Sequence, residues 1–493
     1  MTRPFHLVLV TQELTRPALL LRAAESLPEE ARGRVRVSGF TTVTLRDRPG
    51  SVLAAAREAD LLLLSHILMP EDADRVQVVS REVPASASIL ALSSQRDVLL
   101  ATRLGGRSLP ELLEVALAAA DPTSPLRALM RLFSGEDLSS AFREIKEGLP
   151  GLLEALPLAA RSLETYLRCA LAFAEPSPDN ARALLLLLAA REGGQVELES
   201  LVPETRLHPS RGLYHPSCGI VEDTAALPAR RGARVALLLP RGGVVSGDTS
   251  AFDELIVLLE ERGLAPVPVF SESFDHREAI EEYCDPLGIE AIVSVTGFPL
   301  LGGHNRCVPE EARSFLEKRG VPYLALPSLL VQDIPTWQRS GLGLSPMEVA
   351  LEVSMHELEG GIEPLVVQGP GGAEEGRACR TLIRDRAERL AGRLLSWIEL
   401  RRTPNARKRI ALTIFCFPPS KGAVGTAAYL DVFRSAWAVL GRLRDEGYSV
   451  EVPPSPEELR ELIVSGGDPL LPRDEALLST GARLTVDEYR RIA

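Results

Sequence analysis

Four apolar runs open the chain: FHLVLVTQEL, VRVSGFTTV, ADLLLLSHILM and SASILALSS. Each is short, and a stretch with helical spacing separates it from the next. Continuous apolar runs of this length read as buried strands, and their alternation with helices predicts a parallel, doubly wound sheet. This first α/β domain is placed at residues 1–125. From Asp121 to Arg191 leucine recurs at helical spacing with few β-branched residues, so residues 126–195 are expected to form an all-helical insert. Pro203, Pro209 and Pro216 break up the polar stretch that follows, and 196–233 reads as an irregular connection.

A second α/β domain, residues 234–405, is read from ARVALLLP, APVPVF, EAIVSVTGF, VPYLALPS and EPLVVQG. Strand plus helix repeats there at about 30-residue intervals, as in βαβ units. RKRIALTIF predicts the opening strand of a third unit, 406–493, which continues to GYSVEVPPS. A parallel sheet of one or two strands cannot be covered on both faces by itself. The expectation is therefore a truncated chain, or a last unit that docks on something else. The predicted fold class is α/β, with several doubly wound parallel-sheet domains and a helical insert.

Composition narrows the function. The chain has 493 residues, 45% of them hydrophobic and 25% charged, as expected of a globular protein of roughly three domains. A formal net charge of −12 argues against a nucleic-acid partner, which requires a basic face. The six cysteines form no C-x-x-C pair, so neither a zinc knuckle nor a redox dithiol is indicated, and a reducing, cytoplasmic compartment is expected. MTRPFHLVLVTQEL reads as a first strand and not a signal peptide, and runs such as ARALLLLLAA are too short to span a membrane.

The stretch CFPPSKGAVGTAAYLDVF raises the question of chemistry. Pro418 and Pro419 stop the preceding strand, a glycine-containing loop carries Lys421, and a helical pattern follows. A nucleotide phosphate loop needs lysine directly after its last glycine. Here Lys421 precedes both Gly422 and Gly425, and PRGGVVSGDTSAF has no lysine at all, so ATP binding by this chain is not expected. Such loops still suit an anion at a helix N-terminus.

ALTIFCFPPSKGAVGTAAYLDVF resembles the large, porphyrin-binding subunit of magnesium chelatase. So do RGLYHPSCG, VALLLPRGGVVSGDTSAFDELIVLLEERGLAPVPVF and the long segment from AIVSVTGFPLLGGHNR to GGIEPLVVQG. The N-terminal α/β domain and leucine-rich helices resemble that subunit's N-terminal region, and the large subunit of cobaltochelatase shares the layout. The match runs along the whole chain but covers only the N-terminal half of the family's subunit. The resemblance implies binding of protoporphyrin IX and insertion of Mg²⁺ in (bacterio)chlorophyll synthesis. It also implies AAA+ partner subunits that hydrolyse ATP, and a C-terminal half that completes the site. The alternatives are a cobaltochelatase-like subunit acting on a corrin precursor, or a non-catalytic tetrapyrrole-binding scaffold.

Metal insertion needs anchors for the propionates, bases for the pyrrole protons and oxygen ligands for a partly dehydrated Mg²⁺. Lys421 sits beyond a strand's carboxyl end, where open sheets place ligands, and can anchor a carboxylate with Gly422, Gly425 and Thr426. The alternative is a structural turn that happens to carry a lysine. His304, in TGFPLLGGHNR, can accept a pyrrole proton, Gly303 permits close backbone approach, and Arg306 can bind a propionate in two-pronged fashion. His304 can equally be a loop histidine bonded to its own backbone. Glu363 is a second candidate base. His356, Glu357 and Glu359 in SMHELEGG resemble half of a metal motif, but Gly360 stands where the second histidine would be, and a helix end is expected instead. Asp248 is expected to cap a helix, and His215 to pack at a domain junction. No set of metal ligands emerges.

Overall fold

The computed structural model describes the chain except residues 1–2, 94, 118–159, 230, 273–274, 302–307, 372–375, 416–423, 466–484 and 493. It divides into two compact units, Met1–Leu395 and Ser396–Ala493.

The first sheet of the larger unit grows from the four apolar runs. These become β1 (Phe5–Thr11), β2 (Val35–Thr41), β3 (Leu61–Ser65) and β4 (Ser88–Leu92). They lie parallel in the order β2-β1-β3-β4, and a short antiparallel pair, β5 (Arg103–Leu104) and β6 (Arg107–Ser108), closes one edge. Side chains alternate across a strand, so each apolar run feeds two cores. Leu7, Leu9, Leu61 and Leu63 pack under helix Arg16–Glu25 and the helical pair Arg161–Ala174 and Pro178–Arg191. Val8, Val10, Leu62 and Leu64 pack with Val52, Ala56, Val76 and Val79 from helices Pro49–Arg57 and Pro70–Glu82. The leucine-rich helices thus form the covering layer on one face of the first sheet.

The second sheet repeats this winding. β9 (Ala233–Pro240), β10 (Leu264–Ser271), β11 (Ala291–Ser294) and β12 (Tyr323–Ala325) are parallel in the order β12-β11-β9-β10. An antiparallel hairpin, β7 (Arg211–His215) and β8 (Gly219–Val221), extends it beyond β10. In each sheet the first parallel strand lies between the second and the third. The direction of winding therefore reverses between β1 and β3 and between β9 and β11, the points where doubly wound sheets open a crevice for ligands.

Two expected strands are corrected. EPLVVQG does not form a full strand of the second sheet. Ile362 and Gln368 make isolated parallel bridges to Leu324 and Ser328, and only β13 (Gln368–Pro370) is a strand, paired antiparallel with β14 (Arg380–Leu382). Pro364 has no N–H to continue a ladder. RKRIALTIF also forms no ladder: Lys408–Phe415 is extended and largely exposed, and the smaller unit has no strand among its described residues. A strand is defined by a partner, and among the described residues the stretch before helix Pro456–Ser465 forms no strand either. The described core of this unit is helical. Helix Val432–Asp445 is capped by Asp431, and the Trp437 indole N–H donates to the Pro453 carbonyl at 2.7 Å. Among the described residues no helix is long and apolar enough to cross a membrane.

Candidate functional site

The helix over residues 346–359 is inside out. It runs from Pro346 through a π-helical turn, Val349–Ser354, to Met355–Glu359, and ends at Gly360 in a left-handed conformation. Helical spacing puts residues 348, 352, 356 and 359 on one face, which an ordinary amphipathic helix fills with apolar side chains. Here those positions are Glu348, Glu352, His356 and Glu359, and all four are buried. Leu358 is 56% exposed on the other side.

Buried carboxylates require hydrogen-bond donors, and the loops at the carboxyl ends of β11 and β12 supply them. Glu348 accepts from the backbone N–H groups of Leu330 (2.9 Å), Val331 (3.2 Å) and Ser345 (2.9 Å), and from the Gln332 amide (2.8 Å). Glu352 accepts from the Ser328 N–H through Oε2. Glu359 accepts from Leu300 N–H at 2.7 Å and Leu301 N–H at 3.1 Å, and His356 Nε2 lies 2.8 Å from the Phe298 carbonyl oxygen. The helix therefore clamps the root of the loop that carries TGFPLLGGHNR, and the loop after β12 as well.

A polar cluster gathers around Ser328. Its hydroxyl accepts from Arg380 Nη1 at 2.6 Å, and the Gln368 amide donates to the Val295 carbonyl at 3.2 Å. Glu352 Oε1, Gln368 Oε1 and Arg380 Nε are buried with no hydrogen-bond partner. Burial pushes the Glu352 carboxyl well above the usual range, and the nearby Glu348 adds to the shift, so its surroundings favour the protonated form. Burial also lifts Glu359 to about 7, against the pull of its two N–H donors. His356 is lowered to about 4 by burial and stays neutral. The cluster thus holds one acid biased toward its protonated form, one neutral imidazole and one carboxyl that titrates near neutrality beside a loop root. Such a set can exchange protons with a ligand held by that loop.

The sequence-selected residues fall in three places. Gly303, His304 and Arg306 lie outside the described residues, as do Lys421 and Gly422. Gly425 and Thr426 belong to the smaller unit, and Gly425 has φ +73° with its N–H donating to the Phe415 carbonyl at 2.9 Å. Glu363 lies at the start of the segment running beside β12, five residues before Gln368, and its Oε2 is 3.0 Å from Arg393 Nη1. It stands apart from the carboxyl-edge cluster by the length of that segment, about 17 Å.

The helix end expected at Gly360 is present, and the expected role of Asp248 is corrected. Thr249 occupies the N-cap position, and Asp248 instead accepts the Arg380 N–H at 2.9 Å, tying β14 to the loop after β9. His215 lies within β7, with Nδ1 2.7 Å from the Ser217 hydroxyl and Nε2 3.2 Å from Glu260. Among the described residues no group of three His, Cys, Asp or Glu side chains is placed to hold a metal ion.

Sequence reasoning missed Glu348, Glu352, Gln368 and Arg380. For the two glutamates a signal was available, since acids at 348, 352 and 359 share the face that helical spacing assigns to the core.

Two doubly wound sheets with polar loops at their carboxyl edges define an α/β protein. The chain belongs to the CobN/magnesium chelatase family, whose model matches residues 172–493. A second model, described only as a domain of unknown function, matches residues 6–167. The chloroplastic magnesium-chelatase subunit ChlH of Oryza sativa subsp. indica is 30% identical over 99% of this chain and 36% of its own length. The H-type magnesium-chelatase subunit of Cereibacter sphaeroides is 30% identical over 94% of this chain and 41% of its own. The aerobic cobaltochelatase subunit CobN of Pseudomonas aeruginosa is 30% identical over 47% of this chain and 19% of its own. This chain therefore spans well under half the length of the curated relatives it matches. Among solved structures, the catalytic subunit of cobaltochelatase from Mycobacterium tuberculosis aligns with 94% of this chain and 33% of its own, at 20% identity and a TM-score of 0.49.

Proposed function

We propose that this chain is a tetrapyrrole-handling part of a magnesium chelatase large subunit, acting on protoporphyrin IX with Mg²⁺ as the inserted ion. The observation that carries this reading is the match of two magnesium-chelatase subunits to 94–99% of the chain, where the cobaltochelatase relative matches 47%. A cobaltochelatase-like role on a corrin precursor is the second reading. Under the first, AAA+ partner subunits in the cytoplasm hydrolyse ATP, consistent with a sequence that has no phosphate-loop lysine.

The division of labour follows from chemistry. Lys421 and Arg306 anchor propionates, with Gly303, Gly422, Gly425 and Thr426 letting the backbone come close. His304 accepts a pyrrole proton, and Glu359, titrating near neutrality at the root of the same loop, supports its onward transfer. Glu363, the other candidate base, must leave Arg393 to act. A further polypeptide, the C-terminal half of such a subunit, completes the smaller unit. Ile410 and Leu412 are exposed, and an added strand would cover them.

Fluorescence-quenching titration with deuteroporphyrin IX tests the reading. Weak binding by the chain alone is expected, strengthened when the completing polypeptide is supplied. No quenching in either case sinks the proposal. ATP hydrolysis by the purified chain is expected to stay at background, and turnover that disappears in Lys421→Ala would overturn the assignment of ATP to the partners.

A further inference from the structure

The first sheet has its own switch point, between β1 and β3, and nothing in the tetrapyrrole reading uses it. The chain leaves β1 at Thr11 and reaches Glu13. It leaves β3 at Ser65 and reaches His66. Two residues far apart in sequence are thereby set side by side, with His66 Nδ1 3.5 Å from Glu13 Oε2. Arg16, at the start of the next helix and itself buried, donates from Nε to the same Glu13 oxygen at 2.9 Å. The Arg16 guanidinium lies 4.5 Å from the centre of the Phe173 ring, and His66 packs 5.2 Å from that ring. Stacking on an aromatic face holds the guanidinium in place before any ligand arrives.

Three features mark this as a built crevice and not a surface ion pair. Glu13 and His66 are half-exposed, so the pair is reached from solvent, while Arg16 behind them is buried. His66 has φ +49°, a backbone conformation rarely adopted by histidine, and one that turns the chain abruptly at the strand end. Ser65 is completely buried, and its hydroxyl has no hydrogen-bond partner.

The segment Gly376–Arg380 comes from the second sheet's side of the unit. Arg377 Nη2 is 2.6 Å from Glu25, and Arg22 Nη1 is 3.4 Å from the Cys379 sulfur, so this segment rests on helix Arg16–Glu25. Arg380 comes near enough for its charge to favour the ionised form of Glu13 without making an ion pair with it, and its Nε–H has no partner.

The donor set selects the ligand. The Arg16 guanidinium and the His66 imidazole face one carboxylate, and the buried, unpartnered Ser65 hydroxyl precedes His66 in the chain. A cation placed there would meet Arg16, whereas an acid group would find a donor already oriented. We propose that this crevice is a carboxylate site: an acid group of a ligand displaces Glu13 from the Arg16 guanidinium and accepts from Arg16 and His66. Glu13 is then the resident stand-in for the ligand's acid group.

The test needs no activity assay. Propionate is titrated into the full chain while the His66 ring resonance is followed by NMR, with His66→Asn identifying the signal, because asparagine tolerates positive φ. A saturable shift is expected. Glu13→Gln removes the competing carboxylate and is expected to bind propionate about tenfold more tightly, whereas Arg16→Gln is expected to weaken binding at least tenfold. A gain of affinity in Glu13→Gln cannot come from damaged folding. Absence of a His66 shift, or wild-type affinity in both variants, overturns the proposal.

The source of the acid is read by competition. Deuteroporphyrin IX that displaces propionate, when its dimethyl ester does not, assigns the site to a tetrapyrrole propionate. Failure of both to compete, with propionate still bound, assigns it to a small free carboxylic acid. That second result supports the site while leaving the tetrapyrrole reading to stand or fall on its own titration.

Discussion

Glu348→Gln is expected to cost about 2–4 kcal/mol of stability, whereas Glu352→Gln, one helical turn away, is expected to cost nothing or to stabilise the protein. The two glutamates are equally buried and differ only in what faces them. Both oxygens of Glu348 accept two hydrogen bonds each, from three backbone N–H groups and the Gln332 amide. An amide there must aim its own N–H₂ at two donors, which leaves them unsatisfied in a dry site. Glu352 accepts one N–H and has a second oxygen without a partner, in a setting that favours the protonated carboxyl. Glutamine copies a protonated acid, accepting from the Ser328 N–H through its oxygen.

The pH dependence separates the two as well. The folded pKa of Glu352 is raised, so its contribution is fully present below the unfolded carboxyl value of about 4.3, and is lost as pH rises toward the folded value. Wild type should therefore lose stability relative to Glu352→Gln as pH rises from 5 to 8. Urea denaturation of the three proteins at both pH values measures this. Wild-type stability in Glu348→Gln, or a Glu352→Gln difference that is the same at both pH values, would show that the donors do not govern this helix.

The architecture was legible because a parallel sheet writes a direct signal. FHLVLVT and LLLLS carry no polar alternation, since both faces are covered, and both became central strands. EPLVVQG and RKRIALTIF carry much the same signal, yet became an extended edge and a segment that forms no strand among the described residues. Apolar content states that a segment will be covered, but not by which partner. The site was half legible for a related reason. SMHELEGG drew attention through the adjacency of His356 and Glu357, a chain-neighbour pattern borrowed from metal motifs. The structure uses the helical neighbours Glu348, Glu352, His356 and Glu359, and leaves Glu357 exposed. The crevice of Glu13, Ser65 and His66 was out of reach, because only the β1–β3 register brings these residues together. The same holds for Arg380, whose partners Asp248 and Ser328 stand on separate loops.

Lys421→Ala is expected to weaken porphyrin binding by about ten- to a hundredfold in the complete chelatase while leaving stability within about 0.5 kcal/mol of wild type. Losing a partly desolvated, charge-assisted contact costs affinity, and a loop lysine contributes little to folding. Gly425→Val should behave differently and damage both. Gly425 has φ +73°, its N–H is held by the Phe415 carbonyl at 2.9 Å, and an added Cβ would meet the Phe433 ring at 3.1 Å. A β-branched residue cannot take that backbone conformation without strain of about 1–3 kcal/mol, and the ring must also move aside. The entrance to helix Val432–Asp445 would shift, carrying the loop's N–H groups with it. Deuteroporphyrin titration beside thermal unfolding distinguishes the cases: an anchoring loop gives a binding defect alone for Lys421→Ala and a joint defect for Gly425→Val. If Lys421→Ala binds porphyrin as wild type does while Gly425→Val loses stability, the loop is a structural turn and its lysine anchors nothing.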